Sequence, residues 1–195
     1  MLRGRVGVTY YRITLVVMTN SVTIVLEYLN TLDLTHGHDS LASPGHLTAW
    51  WREHARSDLE AGLPDVAGAV EFREALRSMV STNSGGDFPP AASEVIDRAA
   101  RAASLSLRLP REGGSTLVPQ ASGLAGVVAS VLASVHAAIS GGIWPRIKIC
   151  RNPECRRAFY DRSRNRSRVW CEMAACGNRM KARRFRQRGT GSEDR

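Results

Sequence analysis

The chain has 195 residues, of which 43% are apolar and 23% charged, a composition that allows one good hydrophobic core and excludes a wholly disordered protein. Four cysteines in this length also exclude a small domain stapled by disulfides. The net charge of +9 is uneven, because residues 145–188 hold 15 basic and three acidic side chains while the rest of the chain carries −3. A strongly basic end on a mildly acidic body indicates a polyanionic partner.

The first 17 residues show no helical period, and Met18 is an alternative translation start. We therefore predict that residues 1–17 form a leader that is disordered or lies upstream of the true start. The mostly apolar run from Ile13 to Met18 is six residues long, too short for a signal peptide or a membrane span. The chain is expected to be cytoplasmic and without a membrane segment.

Apolar residues at helical spacing predict a mostly helical domain over residues 18–143. We expect its helices over 21–30, from Ser43-Pro44 to about Gly62, over 65–81, over 89–103 and over 122–140. Leu105, Leu107 and Leu109 alternate with polar residues and, with residues 115–119, predict a small β-hairpin. The predicted fold class is α+β, and the second module is expected over 144–188, followed by a disordered tail over 189–195.

All four cysteines lie in the basic end, with the spacing C-x4-C-x15-C-x4-C. Two disulfides are the alternative for a secreted protein, but in a cytoplasmic one this pattern favours a single structural Zn²⁺ held by Cys150, Cys155, Cys171 and Cys176. A zinc ion with four thiolate ligands has no open position for a substrate, which argues against catalysis at the metal.

Two stretches resemble a known family. Cys150-Arg-Asn-Pro-Glu-Cys155, Trp170-Cys171 and Cys176-Gly-Asn-Arg179 are similar to the CGNR zinc finger. Residues 28–33 and 41–51 resemble the opening of the ABATE domain, which precedes this finger in stress-induced transcription regulators of bacteria. The resemblance implies zinc on the four cysteines and a bacterial, stress-responsive regulator of transcription. The first 17 residues have no counterpart in it.

Many of the arginines lie in two segments, one between the two cysteine pairs and one after the second pair. Four alternate through the loop between the pairs, where an extended chain would direct them all to one side. After Cys176, we expect Gly177 to make a turn with positive φ and Asn178 to cap a basic helix that ends near Arg188. Met180 and Phe185 are expected to pack on the finger. The candidate nucleic-acid contacts are Arg162, Arg164, Arg166, Arg168, Arg179, Lys181, Arg183, Arg184 and Arg186.

DNA is the predicted partner of this surface, because a net charge of +12 is concentrated on a zinc module of 44 residues. RNA is one alternative, since Phe159, Tyr160, Trp170 and Phe185 could stack on bases. Docking of the finger on an acidic protein partner is the other alternative.

A second candidate site is a pocket for a small-molecule or protein effector in the N-terminal domain. Asn30, Thr31 and Asp33 follow a predicted helix, and Trp50 lies on the next one. Capping of the helix end is the alternative role for these polar residues. The sequence holds no nucleophile elbow, phosphate loop or paired acid and base, so we do not expect an enzyme.

Overall fold

The computed structural model describes residues 22–55, 61–111 and 113–189. The expected leader over 1–17 and residues 190–195 of the expected tail lie outside the described residues. The described helices of the N-terminal region are α1 (22–29), α2 (Pro44–Ala55), α3 (Leu63–Ser81), α4 (Pro90–Ala102) and α5 (Gly123–Ser140). They match the helices expected from apolar periodicity, with shifts of one or two residues at most ends. Residues 56–60, where α2 was expected to continue, are not described.

The strands form three antiparallel pairs. They are β1 (Leu32–Asp33) with β2 (His38–Asp39), β3 (Leu105–Arg108) with β4 (Thr116–Pro119), and β5 (Ile147–Ile149) with β6 (Ala158–Tyr160). The β3–β4 pair confirms the predicted hairpin, with Leu105 opposite Pro119. The other two pairs are too short to show alternation in the sequence. A mostly helical region with small strand pairs, followed by a four-cysteine cluster and a C-terminal helix, confirms the α+β class.

The core of the N-terminal region forms where α1, α2 and α3 meet. Tyr28 of α1 lies between the rings of Trp50 and Phe72, with ring centroids 5.5 and 5.7 Å away. All three rings are buried, and the Tyr28 hydroxyl donates a hydrogen bond to the Ala69 carbonyl at 2.7 Å. The buried phenol therefore has a partner, as a polar group in a core requires.

Helix α5 packs its buried face, which includes Val127, Val128 and Val131, against α3, α4 and β4. Its 18 residues have a mean hydropathy of 1.8, so by length and composition alone it could cross a membrane. A third of its residues are buried in the described structure, and one helix of this kind is weak evidence for a membrane span, because helices of soluble proteins have the same length and composition.

The finger shares the hydrophobic core of the N-terminal region. Ile147, Ile149 and Ala158 of β5 and β6 belong to the same buried cluster as the residues of α1 to α5. Beyond the end of α3, the Asn83 amide donates to the carbonyls of Trp144 and Ile147 at 2.9 and 3.0 Å. The two regions are therefore packed together, although the charge distribution of the sequence divides them.

Candidate metal centre and nucleic-acid interface

The four cysteine sulfurs converge at one point of the finger. All four Sγ atoms lie within 4.8 Å of one another, with Cys155 to Cys171 at 3.6 Å and Cys171 to Cys176 at 3.7 Å. A tetrahedral Zn²⁺ with Zn–S bonds of about 2.3 Å holds its sulfurs about 3.8 Å apart. Four thiols at this spacing, with no disulfide between them, fit one zinc ion.

Local hydrogen bonds shape both turns that carry the cysteines. In the first turn, the side-chain oxygen of Asn152 accepts a hydrogen bond from the Glu154 N–H at 3.2 Å. The backbone carbonyl of Asn152 accepts one from the Cys155 N–H at 3.0 Å. In the second, Met173–Gly177 forms a π-helical turn that continues directly into α6 (Asn178–Gly189). The first turn is closed by a polar side chain, as Asx-type turns are, and the second begins a helix.

The thiols are in different electrostatic environments. Burial raises the pKa of Cys150, and burial together with the charge of Cys150 raises that of Cys171. Burial opposes ionisation of Cys176 too, but hydrogen bonds from Asn152 and the other thiols outweigh it and lower its pKa. The Asn152 amide lies 3.6 Å from the Cys176 sulfur. Bound zinc would hold the thiols as thiolates, so its affinity must fall as the pH falls.

Gly177 and Asn178 do not play the roles that the sequence suggested. Gly177 does not have positive φ, and a Cβ there would lie 2.4 Å from the Met173 sulfur and 3.2 Å from the Trp170 ring. Asn178 has helical φ and ψ within a continuous helix, so it is not an N-cap. A larger residue at 177 would displace the Met173 side chain, which is half exposed, and would press on the Trp170 ring.

The arginine-rich loop between the cysteine pairs is folded rather than extended. Arg166 adopts a left-handed backbone conformation with φ of 51°, and the loop contains no strand between Asp161 and Trp170. The Arg168 guanidinium lies 5.4 Å from the centre of the Phe159 ring and donates to the Cys171 carbonyl at 2.5 Å. The loop is therefore not the extended segment that was expected to direct all four arginines to one side.

A buried ion pair that sequence reasoning missed holds this loop. Lys148 Nζ lies 2.8 Å from Asp161 Oδ2, and the two residues are 4% and 0% exposed. Lys148 also donates to the carbonyls of Arg166 and Arg168. The only signal in the sequence is a lysine between Ile147 and Ile149 in an otherwise apolar strand.

Asp161 accepts further hydrogen bonds that complete the anchor. The Ser163 N–H and hydroxyl lie 2.9 and 2.6 Å from Oδ1, and the Arg168 N–H lies 3.0 Å from Oδ2. Burial alone would raise the pKa of Asp161, but Lys148 and these donors hold it well below the usual range. The carboxylate is thus charged at neutral pH and fixes the path of the loop.

Asp161→Asn is expected to lower the free energy of unfolding by about 2 kcal/mol, because the Lys148 charge would stay buried without its counter-charge. Denaturant unfolding of the zinc-loaded protein measures this loss. Asp87→Asn, at an exposed carboxylate, is the matched control and should stay within about 0.5 kcal/mol of the parent. Equal losses in the two variants would show that the Lys148–Asp161 pair does not anchor the loop.

All nine candidate nucleic-acid residues are exposed. In α6, residues 181–187 are exposed on every side of the helix. Met180 is half-buried, but Phe185 is 81% exposed and does not pack on the finger, contrary to expectation. Helix α6 therefore projects from the cysteine cluster as a basic rod.

The structure does not bring the four candidate pocket residues together. Thr31 is buried and donates to the Tyr28 carbonyl, and Trp50 is a core residue stacked on His54. Asp33 accepts the backbone N–H groups of Thr35 and His36, as a capping residue in a turn does. Asn30 and Asp33 line a cleft of about 160 Å³ that includes part of the cysteine cluster, whereas Thr31 and Trp50 do not line it.

Asn30 instead joins the N-terminal region to the finger. Its amide accepts the Ala158 N–H at 2.8 Å and donates to the Ala158 carbonyl at 3.0 Å, in the manner of a neighbouring strand. Arg77, which is 1% exposed, donates to the Leu29 carbonyl and, at 2.8 Å, to the Arg156 carbonyl. These bonds span 48 to 128 residues of sequence, so no local pattern could have revealed them.

Comparisons with known proteins agree with this arrangement. The ABATE family model, described as "Putative stress-induced transcription regulator", matches residues 23–139, and the CGNR zinc finger model matches residues 146–189. Neither description names an enzymatic activity. A search of curated proteins finds no match. The first match alone covers more than half of the chain, and the second coincides with the cysteine cluster and α6, so the chain belongs to the ABATE family and carries a CGNR zinc finger after that domain.

Proposed function

We propose that this protein is a cytoplasmic, DNA-binding regulator of transcription, in which the zinc finger contacts the duplex and the N-terminal domain senses an effector. The observation that carries the proposal is the projecting helix α6, exposed on all sides over residues 181–187 and rich in arginine. A helix of this kind presents exposed guanidinium groups at a surface that phosphates can reach.

The folded loop offers further exposed arginines. Its arginines at 162, 164 and 166 are exposed, and the buried Lys148–Asp161 pair fixes the backbone beneath them. A pre-ordered loop loses less conformational entropy on binding than a mobile one, which favours affinity for a polyanion. Zinc serves a structural role here, since four thiolates leave no coordination position open.

The effector part of the proposal is supported by the joint between the two regions. The cleft at the cysteine cluster is lined by Asn30 and Asp33 of the N-terminal region, by Arg157 and Arg179 of the finger, and by three of the cysteines. A ligand bound there would contact both the N-terminal region and a candidate DNA-binding residue. It could therefore alter DNA affinity directly.

Fluorescence anisotropy with labelled duplex DNA tests the proposal on the zinc-loaded full chain. If six to ten phosphates are contacted, affinity should fall by about 10³ to 10⁵ between 50 and 200 mM salt. Competition by structured RNA distinguishes the RNA alternative, because a duplex-DNA binder should be displaced more weakly by RNA than by DNA. A protein that binds neither polymer would instead support docking on an acidic protein partner.

Charge reversal locates the interface. Arg179, Arg183 and Arg186 changed together to Glu should weaken binding strongly and reduce the salt slope by about three. The matched control changes Arg101, Arg108 and Arg111 of the N-terminal region to Glu, which alters the net charge equally at exposed positions. Equal loss in both triple variants would mean that net charge, and not α6, determines binding.

A further inference from the structure

The basic residues of α6 are divided between two opposite sides of the helix. Because successive residues of an α-helix are 100° apart around its axis, the centres of the two groups lie about 160° apart around α6. Over residues 179–186, the first group is Arg179, Arg183 and Arg186, and the second is Lys181 and Arg184. A helix that lay flat on one row of phosphates would need a single basic side, so this distribution indicates negative charge on two sides at once.

Between the two basic sides lies a narrow apolar strip made by Ala182 and Phe185. Both residues are exposed, and the Phe185 ring is 81% exposed. One exposed apolar residue is common on protein surfaces, so exposure alone does not indicate a partner. The position of this ring, centred between two cationic sides, is the informative observation.

The contacts of α6 show that the strip faces away from the protein. Met180 lies on the opposite flank of the helix from Phe185 and is half-buried. Arg183, on the neighbouring part of the helix surface, approaches Glu154 of the first cysteine turn at 3.4 Å. The finger therefore covers the Met180 flank and leaves Ala182 and Phe185 directed outward.

From this geometry, and resting on the proposed function, we infer that α6 enters the major groove of duplex DNA and that Phe185 contacts thymine C5-methyl groups. A major groove about 12 Å wide admits one helix, with phosphates on both walls and base edges at the floor. Two basic sides fit the two walls, and the apolar strip between them faces the floor. Thymine is the base that presents a methyl group there, and phenylalanine is among the residues that contact it.

The same geometry disfavours double-stranded RNA, since its major groove is deep and too narrow for side chains to read. It also disfavours an anionic membrane surface, where a helix buries a broad apolar face rather than a strip of two residues. Phe185 is thus assigned as a specificity-determining residue and Ala182 as the small neighbour that lets the helix backbone approach the bases.

The test uses the zinc-loaded full chain and two pools of random duplexes of about 20 base pairs, two helical turns, at about 100 mM salt. One pool contains thymine and the other contains deoxyuridine at every thymine position, which removes only the C5-methyl group. The protein should prefer the thymine pool by about fourfold for each methyl group that it buries. Phe185→Ser should bind the two pools equally, whereas Phe88→Ser, at another exposed phenylalanine outside the finger, should keep the preference.

Each other outcome overturns the inference, and the outcomes differ in whether the proposed function survives. Equal binding of both pools by the parent protein leaves DNA binding intact and removes the methyl contact. A preference that survives in Phe185→Ser removes Phe185 from the methyl contact and assigns the discrimination to another residue or to DNA shape. Failure to bind either pool overturns the inference and the proposed function together, and binding of anionic phospholipid vesicles in its place would assign Phe185 to a membrane.

Discussion

Removal of zinc with a strong chelator should release one Zn²⁺ per chain and lower the unfolding midpoint of the whole protein by on the order of 10 °C or more. Structural zinc contributes about 10–16 kcal/mol to the folding of isolated finger peptides, which is more than any side-chain contact in this chain can contribute. The metal release is measured with a chromophoric chelator, and the unfolding by circular dichroism. DNA binding should be lost in the same titration.

The loss of zinc is expected to reach the N-terminal region because the two regions share one core. Ile147, Ile149 and Ala158 are buried among the side chains of the N-terminal helices, so an unfolded finger would expose apolar surface on both sides of the joint. Re-addition of zinc should restore the original midpoint, and magnesium, which prefers oxygen ligands, should not. An N-terminal region that melts at the same temperature with and without zinc would contradict the shared core.

Arg77→Met should lower the free energy of unfolding by about 3–5 kcal/mol, because it leaves buried polar groups without their partner. The Arg77 guanidinium donates to the carbonyls of Leu29 and Arg156 and, at 3.2 Å, to Glu74. Methionine has a similar length but no donor, so it fills the space without satisfying these acceptors. Denaturant unfolding of the zinc-loaded protein measures the loss.

The matched control is Arg98→Met, which breaks an ion pair with Glu71 whose partners are 59% and 54% exposed. Exposed pairs contribute at most about 1 kcal/mol, so this variant should differ little from the parent. Because Arg77 bonds to the Arg156 backbone of the finger, its variant should also release zinc to a competing chelator more readily. Similar stabilities for the two variants would mean that Arg77 does not join the regions.

The parts of the fold that the sequence predicts are those with local causes. The helical spacing of apolar residues in α3 and α5, and the alternation of Leu105 and Leu107 in β3, follow from side-chain burial on one face. The cysteine spacing likewise predicts a cluster, since two short turns carry the sulfurs. These are also the features on which the resemblance to the family depends.

The parts of the fold that the sequence does not predict depend on contacts between residues that are distant in the chain. Asn30 looks like a helix-end residue or a pocket residue, but its amide pairs with Ala158, which is 128 residues away. Lys148 stands out only as a lysine in an apolar strand, and its pairing with Asp161 depends on how β5 and β6 align. Phe185 suggested packing on the finger because it is apolar, but its position along a projecting helix leaves it exposed. In each case, tertiary geometry outweighs the local preference of the residue.

Selection from a randomised duplex pool by the zinc-loaded protein, at near-physiological ionic strength, tests the central claim most directly. We expect duplexes to be retained, with an enriched motif that contains thymine, and we expect retention to disappear when the chelator is added. The charge-reversed α6 variant should retain none of the enriched motif. If the parent protein keeps its zinc and yet retains no duplex, direct DNA binding by the finger is contradicted.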